Sequence, residues 1–363
     1  MTERILAACS PGEVRVAVVR DNLLLDYAIW RPGAPDGVGD LHLGRVIARV
    51  AAMAGSFVAL DGAEGFLPDS EGGTGLGQGD LVPVRVTRAA QGGKGPRLTA
   101  RLAVGETPPA RGPGPLLELA HRYTDAAVLV DDAGVAGRLK PFLGDRVATI
   151  ARAFDEAAEE QVEALALPEA EAKGGVRLHF HPTPALVAID VDASQALASR
   201  QGKGASHAAA NLAALPALAR QIRLRNLSGA IMIDFAGLSA RRRPSLAPAL
   251  HAALADDPLR PRLLGFTALG LAEIVRPRVH PPLHELLAGP HAAGLAALRA
   301  VAAAVRLPPH RLPALRASPA IVRALEDDTQ ALQDLARRAG RALILRSDTR
   351  LSPMGWSIEA NDE

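Results

Sequence analysis

The chain has 363 residues, 48% of them hydrophobic, with 41 Lys and Arg against 39 Asp and Glu. That length and apolar content exclude a disordered chain and predict two or three domains, and the even charge balance leaves only local clusters to carry any electrostatic role. A single cysteine, Cys9, excludes an internal disulfide and a cysteine-built zinc site, and no apolar run resembles a signal peptide or the roughly 20 residues of a membrane span, so a cytoplasmic protein is expected.

Residues 3–31 read as a β-hairpin, with alternation from Glu13 to Val19 and a turn at Asp21-Asn22. A Pro/Gly/Asp stretch from Arg31 to Asp40 interrupts it. Short β patterns follow at 45–52, 55–60, 81–87 and 97–102, with a Gly-rich loop at 72–79 that matches neither a dinucleotide-binding nor a P-loop spacing. Short strands, glycine turns and little helix predict a small barrel, and an OB-fold fits the size. A Pro/Gly linker at 108–115 closes this part. Then come a helix from Leu116, a strand at 126–130, a helix over 135–142 and an acidic helix over 154–165, an alternation that makes the larger unit α/β.

Two apolar strands end on acids: Ala185 to Asp192, carrying Asp190 and Asp192, and Ala230 to Phe235, carrying Asp234. Asp190 and Asp192 share a strand face, and Asp234 takes the equivalent tip of a neighbouring strand, so three carboxylates can converge. Unpaired charges cost several kcal/mol to desolvate, and oxygen ligands suit magnesium or manganese. The alternative is that these acids cap helices or pair with arginine. The helix between the strands, 207–224, leads into Arg220, Arg223 and Arg225, and Arg241-Arg242-Arg243 follows Asp234. Beside a carboxylate-held ion such arginines neutralise a polyanion; at a solvated helix end they do nothing of the kind. From His291 onward the pattern reads as an Ala-rich helix, a Pro-rich turn at 308–313, helices at 318–325 and 330–339, and a strand at 342–346, a small docking or assembly domain.

These residues carry a resemblance to the ribonuclease E/G family, strongest from Leu186 to Arg278. Ile189-Asp190-Val191-Asp192 is similar to the family's Ile-Asp-Val-Asn, and Asn211-Leu212 to its Asn-Leu pair. Arg220 to Gly229 is similar to its Arg-Gln-Leu-Arg-Leu-Arg-Asp-Leu-Gly-Gly run, Ile233-Asp234-Phe235 to its second aspartate strand, and Glu273 to Arg278 to its Glu-Met-x-Arg-x-Arg. Gly44-Arg45-Val46, Ser56-Phe57-Val58, Gly65 to Pro68 and Gly93-Lys94-Gly95 resemble its inserted barrel. The resemblance implies a multidomain α/β protein. Residues 1–35 and 105–180 would form a ribonuclease-H-like domain, 36–104 an S1-type OB-fold, 181–285 a DNase-I-like catalytic subdomain and 286–363 a small C-terminal α/β domain. It puts Phe57, Phe66 and Lys94 on RNA-contacting positions, although each Phe also reads as barrel core.

Three departures stand out. The family's 5′-monophosphate sensor is missing between the barrel and Leu116, the cysteine pair of its zinc link is absent, and Asp192 replaces an amide. His179, His181, His280, His284 and His291 lie where a substitute zinc site could be sought, but Pro281 and Pro282 spoil the spacing, and zinc is not expected. The resemblance implies a magnesium- or manganese-dependent endoribonuclease acting on single-stranded RNA such as mRNA or rRNA precursors and leaving 3′-hydroxyl and 5′-phosphate ends. Asp190 and Asp234 would hold the ion, Asp192 would either support Asp190 or join the coordination shell, and Arg220, Arg223, Arg225, Arg241 and Arg242 would lie on the RNA. The rival is a non-catalytic RNA-binding protein, a ribosome-assembly or regulatory factor; a third reading is an OB-fold factor for DNA. An oligomer formed without a zinc link is compatible with each.

Overall fold

The computed structural model describes residues 3–194, 203–305 and 313–359. The chain divides into two units, one made of Met1–Pro35, Gly114–Val162 and His284–Glu363, the other of Asp36–Pro113 and Glu163–Leu283.

In the first unit β1 (Glu3–Ser10), β2 (Glu13–Arg20) and β3 (Leu23–Trp30) form an antiparallel meander. The predicted turn at Asp21-Asn22 is there, both residues at positive φ (48° and 64°), as a tight two-residue hairpin requires. In the second unit β4 (Leu41–Val50), β5 (Gly55–Ala59), β6 (Glu64–Pro68), β7 (Leu81–Arg88) and β8 (Arg97–Thr99) close a barrel in the order β4-β5-β6-β8-β7. Register shifts in β4 and β7 supply the bends that closure needs. Val46, Val58, Leu67, Val82, Val84, Val86 and Leu98 fill it. This five-stranded barrel is of the OB type expected from the spacing of the short strands.

The chain then returns to the first unit. Helix α1 (Gly114–Arg122), β9 (Ala127–Val130), α2 (Ala133–Leu143), β10 (Val147–Thr149) and α3 (Glu156–Ala164) follow, and the sheet order becomes β10-β9-β1-β2-β3 with β9 and β10 parallel to β1. Burial of both faces explains why β1 and β2 read as almost continuous apolar runs.

The second unit resumes with β11 (Glu169–Ala172), β12 (Val176–Pro182), β13 (Val187–Asp192), α4 (Lys203–Leu224), β14 (Gly229–Asp234), α5 (Ala247–Leu254), β15 (Arg262–Phe266) and β16 (Ala272–Arg276). The six-stranded sheet runs β11-β12-β13-β14-β16-β15, and only β13 and β14, joined through α4, are parallel. Leu215, Leu218 and Ile222 of α4 and Leu250 of α5 cover one face of it, packing on Ile189, Val191, Ile231, Ile233 and Ile274. Alternation sends Asp190, Asp192 and Asp234 to the other face.

The last stretch, α6 (Gly289–Val305), β17 (Ala314–Ala317), α7 (Pro319–Asp327), α8 (Thr329–Ala339), β18 (Leu345–Ser347) and β19 (Trp356–Glu359), builds its own core around Leu295, Leu298, Leu315, Ile321, Leu325 and Leu335. It packs closely into the first unit: a Cβ at Gly12 would lie 2.6 Å from the Ala331 Cβ. The strand expected at 342–346 begins at Leu345, and the Pro-rich turn at 308–313 lies almost wholly outside the described residues. No helix among the described residues is long and apolar enough to cross a membrane.

Candidate active site

Asp190 and Asp234 are direct register partners across the parallel β13–β14 pair. Neighbouring strands lie about 4.8 Å apart, so these two exposed carboxylates can share one small cation. Their row continues over the open face through His179 and Glu169, while Asp192 lies in the next row beside Arg177 and Glu171. Asp192 is turned to its own chain. Its Oδ1 accepts from the Ser194 N–H (2.8 Å) and its Oδ2 from the Ser194 hydroxyl (3.0 Å), bonds that hold the carboxyl below the usual aspartate range. The three-way convergence expected from the sequence is therefore reduced to a pair: among the described residues no group of three or more His, Cys, Asp or Glu is arranged to hold a metal. Two carboxylates with oxygen donors only, on an open face, still fit a magnesium- or manganese-type ion that keeps several waters.

Asp234 has a partner already. The Arg243 guanidinium lies 2.5 Å from its Oδ1 and also donates to the carbonyls of Leu238 (2.9 Å) and Gly270 (3.3 Å). Arg243 thus turns inward from a triplet in which Arg241 and Arg242 stay exposed. The chain after Asp234 is pinned by Asn211, which is fully buried. Its Nδ2 donates to the carbonyls of Ala236 and His207 (2.9 Å each), and its Oδ1 accepts from the Ala236 N–H (3.1 Å). Next in line, Gly237 (φ +57°) lies under the His207 ring, where a Cβ would sit 2.2 Å from Cε1. No role for Asn211 or Arg243 follows from the motifs alone. One signal for Asn211 was present: it interrupts the apolar stripe of Leu215, Leu218 and Ile222 on α4.

The arginines of the Arg220 cluster part company. Arg220 and Arg223 are half-buried on α4, Arg220 pushed below the usual arginine range by burial and by Arg223. Arg225, expected on the RNA, is a correction: it is 6% exposed, donates to the carbonyls of Leu165 and Leu167 (2.6 Å each) and Glu169 (3.1 Å), and stacks 4.4 Å from the Phe180 ring. Burial pushes its pKa down to about 10. A guanidinium enclosed by backbone carbonyls braces the sheet edge and cannot reach a polyanion.

On the barrel, Phe57 and Phe66 are register partners in edge-to-face contact, ring centroids 5.5 Å apart, half-buried and outside the barrel core. Gly55 makes room, since a Cβ there would meet the Phe66 ring at 2.5 Å. Lys94 is exposed at a tight turn between Gln91 and Lys94 whose Gly92 and Gly93 both take positive φ. Among the histidines, His179 lies 3.8 Å from Glu169, His280 bonds Asp36 (2.5 Å) and His291 bonds Asp328 (2.9 Å).

Residues 135–279 match the ribonuclease E/G family. Ribonuclease G of Escherichia coli (strain K12) is 31% identical over 130 residues, covering 36% of this chain and 26% of that protein. Ribonuclease E of Nostoc sp. (strain PCC 7120) is 32% identical over 120 residues, 33% of this chain and 17% of that protein. Ribonuclease E of Escherichia coli (strain K12) is 33% identical over 129 residues, 35% of this chain and 12% of that protein. The chain thus spans about a quarter or less of the curated relatives it matches.

Proposed function

We propose that this chain, whose residues 135–279 belong to the ribonuclease E/G family, is a magnesium-dependent endoribonuclease for single-stranded RNA. The observation that carries the reading is the pairing of Asp190 with Asp234 at the open end of a parallel strand pair inside the matched segment. On this reading 1–35 and 114–162 form a ribonuclease-H-like domain, with the barrel as an S1-type insertion, and the six-stranded sheet, whose β11 and β12 lie before the boundary expected at 181, is with its helices the DNase-I-like catalytic part.

A bound magnesium ion would polarise the scissile phosphate and lower the pKa of an attacking water. The side chains do the rest. Asp190 and Asp234 hold the ion; Asn211, a positioning residue, fixes the backbone that follows Asp234. Phe57 and Phe66 offer faces to unpaired bases, and Lys94 adds attraction for phosphate. Arg241 and Arg242, exposed beside the aspartates in sequence, are free to offset the charge of the strand. In-line attack by water leaves 3′-hydroxyl and 5′-phosphate ends.

The test uses an end-labelled A/U-rich single-stranded RNA. Cleavage is expected with magnesium, none after EDTA, and none from Asp190→Asn or Asp234→Asn, whose RNA affinity should hold or rise because a negative charge has gone. Wild-type rates in either variant would remove the assignment. A second reading, a non-catalytic RNA-binding protein, is favoured by one observation, the Arg243 guanidinium seated on Asp234. It predicts binding without cleavage in the same assay, and a single-stranded DNA arm separates the DNA-factor reading.

A further inference from the structure

One row of side chains crosses the outside of the barrel through four strands in register. Phe57 lies opposite Phe66 on β5 and β6, Phe66 beside Arg97 on β8, and Arg97 opposite Arg88 on β7. Their neighbours Val58, Leu67 and Leu98 fill the core, and the bulge between Val86 and Arg88 brings Arg88 into register with Arg97, so the row faces out. Like charges directly opposite one another weaken a sheet, yet here a third is added. The Ala89 N–H donates to the Val279 carbonyl at 2.8 Å, which ties the residue after Arg88 to the residue after Arg278. Arg278 is held there by Gly229, where a Cβ would come within 2.4 Å of its Nη2.

Nearby arginines are neutralised, Arg85 by Glu106 and Arg276 by Asp257. Arg88, Arg97 and Arg278 have no carboxylate partner among the described residues. Burial and the charges of Arg97 and Arg278 together push Arg88 below the usual arginine range, a sign that the three repel one another. The Arg88 Nε and the Gln91 Nε2 are buried with no hydrogen-bond partner among the described residues. The cluster has donors in surplus and lacks an acceptor.

We propose that Arg88, Arg97 and Arg278 form a phosphate site that takes a backbone phosphodiester of the strand whose bases stack on Phe57 and Phe66. Strands about 4.8 Å apart put the two barrel arginines one and two positions from Phe66, on the scale of one nucleotide. An oxyanion there relieves the repulsion and gives the orphaned Arg88 Nε an acceptor. The site rests on the RNA-binding reading above and extends it from base stacking to the register of the backbone.

The test is fluorescence anisotropy of a labelled single-stranded RNA with the full chain in EDTA, over a range of salt. Arg97→Gln and Arg88→Gln are each expected to weaken binding severalfold at low salt. The double variant should flatten the dependence of log affinity on log salt by about 0.7 for each phosphate no longer neutralised. Thermal stability should hold or rise, because like charges have been separated. Unchanged affinity and salt slope in variants of a protein whose wild type binds RNA would overturn this site alone. Loss of stability in step with loss of affinity would make the arginines structural and overturn it too. A wild type that binds no RNA would sink the site together with the RNA reading.

Discussion

Asp234 is neutralised from within the chain, and that sets what a metal ion must do to enter. The Arg243 guanidinium competes for one carboxylate oxygen while two backbone carbonyls keep it in place. Half-exposed ion pairs of this kind contribute up to about 1 kcal/mol. Arg243→Gln is therefore expected to tighten magnesium binding by roughly fivefold, measured by isothermal titration rather than by turnover. Unchanged or weaker binding would show that Arg243 organises the site instead of competing for it. The pairing of Asp190 with Asp234 was legible because strand alternation and strand ends speak directly from sequence. Arg243 and Asn211 were not, since their roles depend on a loop folding back onto α4. Arg225 misled for a geometric reason: it falls just past the end of α4 at Leu224, where helical spacing no longer says which way a side chain points.

Within the second unit, contacts between the barrel segment and the sheet include the bond from Ala89 to Val279 and the pair of Asp36 with His280. Burial alone would raise the Asp36 pKa, but the hydrogen bond and charge of His280 outweigh it and hold the carboxyl below its usual range. A carboxylate held low stabilises the fold above its unfolded pKa, near 3.9, and loses that contribution as pH falls through the folded value. His280→Ala should accordingly cost about 1–2 kcal/mol in urea unfolding at pH 7, and progressively less as the pH is taken down below the unfolded aspartate value. A gap that stays the same size down to the lowest pH at which the protein is folded would show that His280 acts by packing. The barrel strands and most helices were readable because each spans enough residues to show its period. β17 and β19, with four residues apiece, are too short for alternation to register. They exist because α6, α7 and α8 offer them an apolar floor.

At the scale of the whole chain, the path from β8 at Thr99 to α1 at Gly114 contains no helix or strand. On the proposed reading no 5′ sensor lies there. The proposed nuclease is thus expected to cut 5′-monophosphorylated and 5′-hydroxyl forms of one RNA at similar rates, and a marked preference for the monophosphate on matched substrates would reveal another sensing surface. The order of segments has a further consequence, for biosynthesis. The unit bearing both aspartates ends at Leu283, whereas the other awaits His284–Glu363. Glu13, only 4% exposed, pairs with Arg31 and with Arg299, a residue 286 positions further on. A ribosome that stalls after residue 283 would release the whole proposed nuclease site on a chain whose Glu13 lacks half its counter-charge and whose Gly12 lacks its neighbours Leu295 and Ala331. Such a fragment carries the second unit entire while leaving the first with an unfinished core, the more open of the two to proteolysis.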